Sequence, residues 1–155
     1  AREIERYVIQ LGSEGRLVRM QLEELMADIK DEGLLVFKDY FLGENVQEVW
    51  GQLEEWDSDD LLNLGLISKT LGYGSGMASL EQAVAPRGYR ILAKIPRLPM
   101  PVIENLINSF EDLSTIMDAT IEELDDVEGI GEVRAKAIKE GLRRLREQVL
   151  VDSHI

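Results

Sequence analysis

Apolar residues recur at three- and four-residue steps through most of this chain, and glycine, proline or a run of acids stands where the rhythm stops. Ile4, Tyr7, Val8 and Leu11, followed by Val18, Leu22, Leu25 and Ile29, predict one long helix or two abutting ones, with Gly12 and Gly15 as an interruption. The run Leu34-Leu35-Val36-Phe37 fits a buried helical turn or a strand equally well. From Asn45 to Leu53 the spacing is helical, with Val46, Val49, Trp50 and Leu53 turned inward. Ser58 is placed to cap a helix running through Leu61, Leu62, Leu64 and Ile67 to Leu71. Gly72 to Gly76 reads as a loop, Leu80 to Val84 as a short helix, and Pro86 as a domain boundary. Beyond it the pattern predicts helical pieces over Tyr89 to Lys94, Pro101 to Ser109, Glu111 to Met117, Thr120 to Asp126 and Glu132 to Gln148. The expected fold is all-α, with a helical linker domain over 1–85, a compact module of about sixty residues over 86–148 and a tail over 149–155, each folded part being large enough to bury a core.

One segment carries chemistry. Thr120 to Glu123 has the Ser/Thr-x-x-Glu form of a capping box, so a short helix starts there and turns Ile121, Leu124 and Val127 toward a core. Gly129-Ile130-Gly131 comes next, a hairpin in which the glycines supply torsions that a β-carbon resists and Ile130 tucks beneath as an anchor. A second helix begins near Glu132. Its first turn leaves N–H groups unpaired at the positive end of the helix dipole, and glycines let a phosphate oxygen come close to them. Between Arg134 and Arg146 stand six basic residues and one acid, Glu140. Lys136, Lys139, Arg143 and Arg146 form a stripe beside an apolar seam of Ile138, Leu142, Leu145 and Val149. Alone, that stripe fits equally well a solvated face whose cations complement the dipole; joined to the hairpin it points to a polyanion. Arg134, near the hairpin amides, is placed to reach the same phosphate.

The segment resembles the helix-hairpin-helix element of DNA repair and recombination proteins, with Gly129, Ile130, Gly131, Ala135 and Ile138 carrying the match. That resemblance implies contacts to the sugar-phosphate backbone, which position a protein without reading sequence. Shifting the chain by 32 positions lays Ile95-Pro96-Arg97-Leu98-Pro99 over Val127 to Gly131, with apolar residues matching at Ile95, Leu98 and Leu106. The earlier copy is degenerate. Arg97 and Pro99 replace the two glycines, Pro99 and Pro101 have no N–H to donate, and Glu104, Ile107 and Glu111 stand opposite the basic stripe. It reads as a structural partner, with Lys94 and Arg97 as a secondary DNA contact.

Charge changes the picture in a second way. The chain of 155 residues has a formal net charge of −13, which opposes DNA binding unless the charge is segregated. It is segregated: residues 31–90 hold 4 basic and 11 acidic residues, a net of −7, whereas Arg134 to Arg146 is locally +5. An acidic body with a basic tip orients a chain on DNA. There is no cysteine, hence no disulfide framework, thiolate metal site or cysteine nucleophile. No signal peptide or membrane-spanning run is present in this stretch, and cytoplasm is the simplest compartment. A single histidine, His154, supports no Ser-His-Asp or histidine-metal set. Asp57, Asp59 and Asp60 are better explained as an acidic capped helix start than as a cation site. The glycines at 72–76 lack a following Gly-Lys-Ser/Thr.

Over its whole length the chain is similar to the C-terminal part of the bacterial DNA integrity scanning family, DisA. The resemblance rests on Glu5-Arg6-Tyr7-Val8-Ile9, Gly15 to Leu25, Tyr89 to Ile107 and Ala119 to Leu145. It implies a helical linker or spine followed by a tandem, RuvA domain 2-like hairpin module that binds branched DNA such as recombination junctions. In that family an N-terminal domain condenses ATP to cyclic di-AMP with a divalent metal such as Mg, assembles as an octamer, and is suppressed by DNA. Its Asp-Gly-Ala and Arg-His-Arg motifs do not occur here. The resemblance therefore implies a non-enzymatic chain without cofactor, a monomer or weak oligomer, nucleoid-associated, that contacts DNA through Gly129 to Gly131, Arg134, Lys136, Lys139, Arg143 and Arg146. The rival reading is a protein-interaction or oligomerisation module presenting Ile107, Phe110 and the turn from Pro99 to Pro101.

Overall fold

The computed structural model describes residues 3–6, 12 and 15–152. Tyr7, Val8 and Leu11 of the first expected helical run lie outside them, as does His154. Every regular element described is helical, and among the described residues no helix is long and apolar enough to cross a membrane. Contacts divide the chain into two compact units, 1–35 and 36–155.

In the first unit residues 3–6 are helical, Gly12 sits in a turn, and helix α1, Gly15–Tyr40, begins. The interruption expected at Gly12 and Gly15 is thus present at the helix start. Arg19 pairs with Glu23 one turn on, at 3.2 Å. The run Leu34 to Phe37, left open between helix and strand, is helical.

The second unit starts with the last turn of α1. Phe37 and Phe41 are buried and stacked with centroids 4.8 Å apart, and Phe37 meets Trp50 at 5.6 Å. Trp50 lies on α2, Val46–Glu54. The single helix expected from Ser58 to Leu71 is two, α3 (Ser58–Leu62) and α4 (Leu64–Leu71). The cap of α3 is Asp57, not Ser58, and its carboxylate accepts the Asp60 N–H at 2.9 Å. Asn63 then breaks the run, because its side chain takes the Leu66 N–H at 3.1 Å and caps a new helix. A short α5 covers Met77–Leu80, earlier than the Leu80 to Val84 segment expected.

At the boundary anticipated at Pro86 the chain is not free, since the end of α1 is tied to the residues just beyond it. Asp39, a buried carboxylate, accepts the N–H groups of Gly88 at 2.8 Å and Tyr89 at 2.5 Å. These open α6, Tyr89–Leu92, whose own preceding residue, Gly88, has no side chain to cap it. Lys38 adds a contact 3.8 Å from Glu104 and lies over the Tyr89 ring. Burial pushes the Tyr89 phenol up, with Glu104 adding to the rise.

The remaining helices are α7 (Met100–Phe110), α8 (Leu113–Asp118), α9 (Ile121–Asp125) and α10 (Glu132–Asp152). The 32-residue repeat is realised in the core: Leu92 with Leu124, Ile95 with Val127, Leu98 with Ile130, and Leu106 with Ile138 are buried at matching positions. Fully burying one such side chain stabilises a fold by roughly 1.5–3 kcal/mol, so this repeated set accounts for how a small module holds together. Residues 149–152, assigned to a tail, continue α10. Gly141 on α10 has a reason of its own, because a β-carbon there would stand 3.0 Å from Cγ1 of buried Ile95.

Candidate nucleic-acid interface

The second hairpin is built from local chemistry. Thr120 accepts the Glu123 N–H at 3.2 Å and Glu123 returns a carboxylate to the Thr120 N–H at 2.8 Å, the reciprocal box the sequence promised. With α9 so fixed, Val127 and Ile130 drop into the core, and the Ile130 N–H closes on the Val127 carbonyl at 3.0 Å. Gly129 has φ of 85°, where a β-carbon is strained and would also meet Val102 Cγ2 at 3.3 Å. Gly131 does not share that torsion, contrary to expectation. Around it a β-carbon would find only Asp125 Oδ1, at 4.0 Å. The second glycine therefore keeps the approach to the helix end open; it does not relieve strain.

The Ala135 N–H makes its bond to the Gly131 carbonyl at 2.8 Å, so the N–H groups of the turn before it point out of the helix end. Arg134 lies at this mouth, its guanidinium donating to the Gly129 carbonyl at 2.5 Å. That bond pins the side chain across the hairpin and leaves its other N–H groups for a ligand. Asn105 of α7 donates to the Glu128 carbonyl at 3.1 Å and braces the hairpin from the other repeat. Arg97 has φ of 61° at the position equivalent to Gly129, so the degenerate hairpin keeps the same path without the glycine. Its helix starts with Pro99 as cap and Pro101 in the first turn, which removes N–H groups a phosphate would use. Arg97 and Arg134 both line a groove of about 430 Å³ that also takes in Ile95, Gly131, Val133 and Ala137. Lys94 is exposed and does not line it.

The basic stripe lies elsewhere. Lys136, Lys139, Arg143 and Arg146 border a separate groove of about 370 Å³ with Met117 and Ile121. Between the two grooves runs the buried seam of Ala135, Ile138 and Leu142. The sequence reading assigned hairpin, Arg134 and stripe to one DNA contact; on α10 they line two separate grooves. Lys139 is also structural: its ammonium donates to the carbonyls of Met117 at 3.1 Å and Ala119 at 2.6 Å, capping the C-terminal end of α8.

Lys136, Arg143 and Arg144 are paired along the helix. Lys136 meets Glu132 at 2.6 Å, and each holds the other charged, the Glu132 carboxyl lowered and the Lys136 ammonium raised chiefly by their hydrogen bond. Arg143 binds Glu140 at 2.7 Å and Glu147 at 2.5 Å, and Arg144 joins Glu140 at 3.0 Å. Hydrogen bonds from Arg143 and Arg144 bring the Glu140 carboxyl down to about 2. Arg146 enters no ion pair among the described residues.

Comparison with known proteins places the hairpin within a known motif. Residues 1–80 match the family described as the DisA bacterial checkpoint controller linker region, and residues 109–141 match the helix-hairpin-helix motif. The chain belongs to the DisA family. It is 59% identical over 150 residues to the DNA integrity scanning protein DisA of Carboxydothermus hydrogenoformans, covering 95% of this chain and 43% of that protein. To the protein of the same name from Clostridium kluyveri it is 49% identical over 152 residues, covering 97% of this chain and 43% of the relative. For Clostridium perfringens the figures are 50% over 154 residues, 99% and 43%. The chain thus spans less than half the length of these DisA relatives.

Within this DisA-family chain the motif match encloses Val127 to Gly131 and stops short of the copy at Ile95 to Pro99, where Arg97 and Pro99 replace the glycines. Three supports left no trace in the residue pattern. Asp39 and Asn105 find their partners only through the fold, and Gly141 looks like an ordinary helix glycine until Ile95 is seen beneath it.

Proposed function

We propose that this chain is the DNA-binding region of a DisA-family protein, gripping the sugar-phosphate backbone of branched DNA without reading its sequence. The observation that carries the reading is the open end of α10: N–H groups directed outward at Gly131, no side chain in the way, and Arg134 fastened beside them. Arg97, lining the same groove, supports a further backbone contact there. Such contacts position a protein on DNA and make its affinity fall with salt.

In this reading cyclic di-AMP synthesis, with its ATP and divalent metal, belongs to the part of the longer relatives that this chain does not span, as does assembly into an octamer. Among the described residues no group of three or more acidic or histidine side chains is placed to hold a metal ion. Of the residues offered for a rival protein-contact surface, Ile107 is buried in the module's own core and Phe110 is half-buried. The test is a fluorescence-anisotropy titration with a four-way junction, a duplex and a single strand at two salt concentrations. Salt-sensitive binding strongest on the junction supports the reading; salt-insensitive association of the chain with itself, and none with DNA, overturns it.

A further inference from the structure

Two grooves border α10, and they share none of its residues. Resting on the DNA-binding reading, we propose that the helix engages two DNA segments at once: the hairpin groove takes the backbone of one duplex arm, and the groove at Lys136, Arg143 and Arg146 takes the backbone of another. At 3.6 residues per turn, Arg134 and Ala137 point roughly 140–160° away from the mean direction of Lys136, Lys139, Arg143 and Arg146. A helix with its side chains is about 10–12 Å across, and duplex DNA stays straight over far greater lengths, with a persistence length of about 50 nm. A rod seated on the hairpin therefore does not wrap to the opposite flank. Only a second rod reaches it.

The second groove is built for a strand. From Lys136 to Arg146 the cations follow about 15 Å of helix axis, close to four nucleotide rises of one strand at about 3.4 Å each. Lys139 is held at the rim by the Met117 and Ala119 carbonyls, which fixes a positive charge in place. Arg146 has no ion-pair partner among the described residues. Arg143 and Lys136 hold exposed carboxylates on their own helix, pairs that exchange readily for phosphate because water screens them. One module with two separate backbone grips prefers a junction to a plain duplex through effective concentration, without recognising any feature of the branch point.

The test compares the full chain with the double variant Arg143→Glu/Arg146→Glu and with Gly131→Glu, by anisotropy on a four-way junction and on a duplex of equal length. The unaltered chain is expected to favour the junction by at least about tenfold. The double variant should bring that ratio to about one, whereas Gly131→Glu should weaken both DNAs. Loss by the same factor on both DNAs in the double variant, an unchanged ratio, or a ratio near one in the unaltered chain overturns the proposal while leaving the hairpin reading in place. Binding of neither DNA by the unaltered chain overturns the hairpin reading itself. If circular dichroism shows that the charge reversal unfolds the module, Arg143→Gln/Arg146→Gln carries the same comparison.

Discussion

The carboxylate of Asp39, at the end of α1, accepts the N–H of Gly88 at 2.8 Å, forty-nine residues along the chain. The same oxygen takes the Tyr89 N–H, so a linker residue supplies the N-terminal cap of the first helix of the hairpin module. Removing a buried acceptor strands those donors. Asp39→Ala is expected to lower the stability of the second unit by about 2–3 kcal/mol, seen as an earlier urea midpoint with an unchanged slope. A midpoint within error of the unaltered chain would show that the cap is not holding the two parts together.

The two hairpin glycines should separate cleanly. Gly129→Ala places a β-carbon at φ of 85° against Val102 and is expected to cost about 1–2 kcal/mol of stability. Gly131→Ala meets no strained torsion and no close neighbour, so its melting temperature should barely move. Its DNA affinity should fall severalfold, because the added methyl stands where a phosphate oxygen approaches the amides. Equal DNA affinity for Gly131→Ala and the unaltered chain would show that the open helix end is not where phosphate binds.

Lys139 should behave as a structural residue. Lys139→Met removes two hydrogen bonds to the end of α8 and is expected to destabilise the module by about 1–3 kcal/mol. Arg146→Gln, by contrast, should leave thermal unfolding unchanged and reduce the salt slope of junction binding by about one. Thermal melts and salt titrations of the two variants, run side by side, decide between these roles.

Glu140 pairs with both Arg143 and Arg144, and a phosphate must compete with it for them. Glu140→Gln is expected to strengthen DNA binding a few-fold at low salt, since an anion is removed from the groove rim and Arg144 loses its competing carboxylate, while Arg143 keeps Glu147. Its pH dependence has a defined sign. The carboxyl is lowered from 4.5 to about 2 in the folded chain, so its stabilising contribution is fully present above 4.5 and is lost as pH falls toward 2. Acid unfolding followed by circular dichroism should therefore show less loss across that window in Glu140→Gln than in the unaltered chain; identical acid profiles would contradict the pairing.

Features set within a single turn or a repeat were legible from the order of residues alone. The capping box at Thr120 and Glu123, the hairpin at Gly129 to Gly131, and the match of Ile95, Leu98 and Leu106 to Val127, Ile130 and Ile138 depend on neighbours a few residues apart or on a fixed period, and both are written in the chain itself. The family was legible for the same reason. Which charges face together was settled by packing in three dimensions. Lys139 and Arg143 look alike on a helical projection, yet Lys139 finds the carbonyls of Met117 and Ala119 while Arg143 stays among its own helix's acids. Arg134 and Lys136 diverge on any helix, being two residues apart, but only the packing against α10 shows that one lines a groove with Arg97 and the other a groove with Met117. Asp39 meets Gly88 from the end of α1, where Phe37 and Phe41 stack in the core. Contacts of that kind join residues far apart in sequence, and no local period records them; they alone determine which side of a helix is left for a ligand.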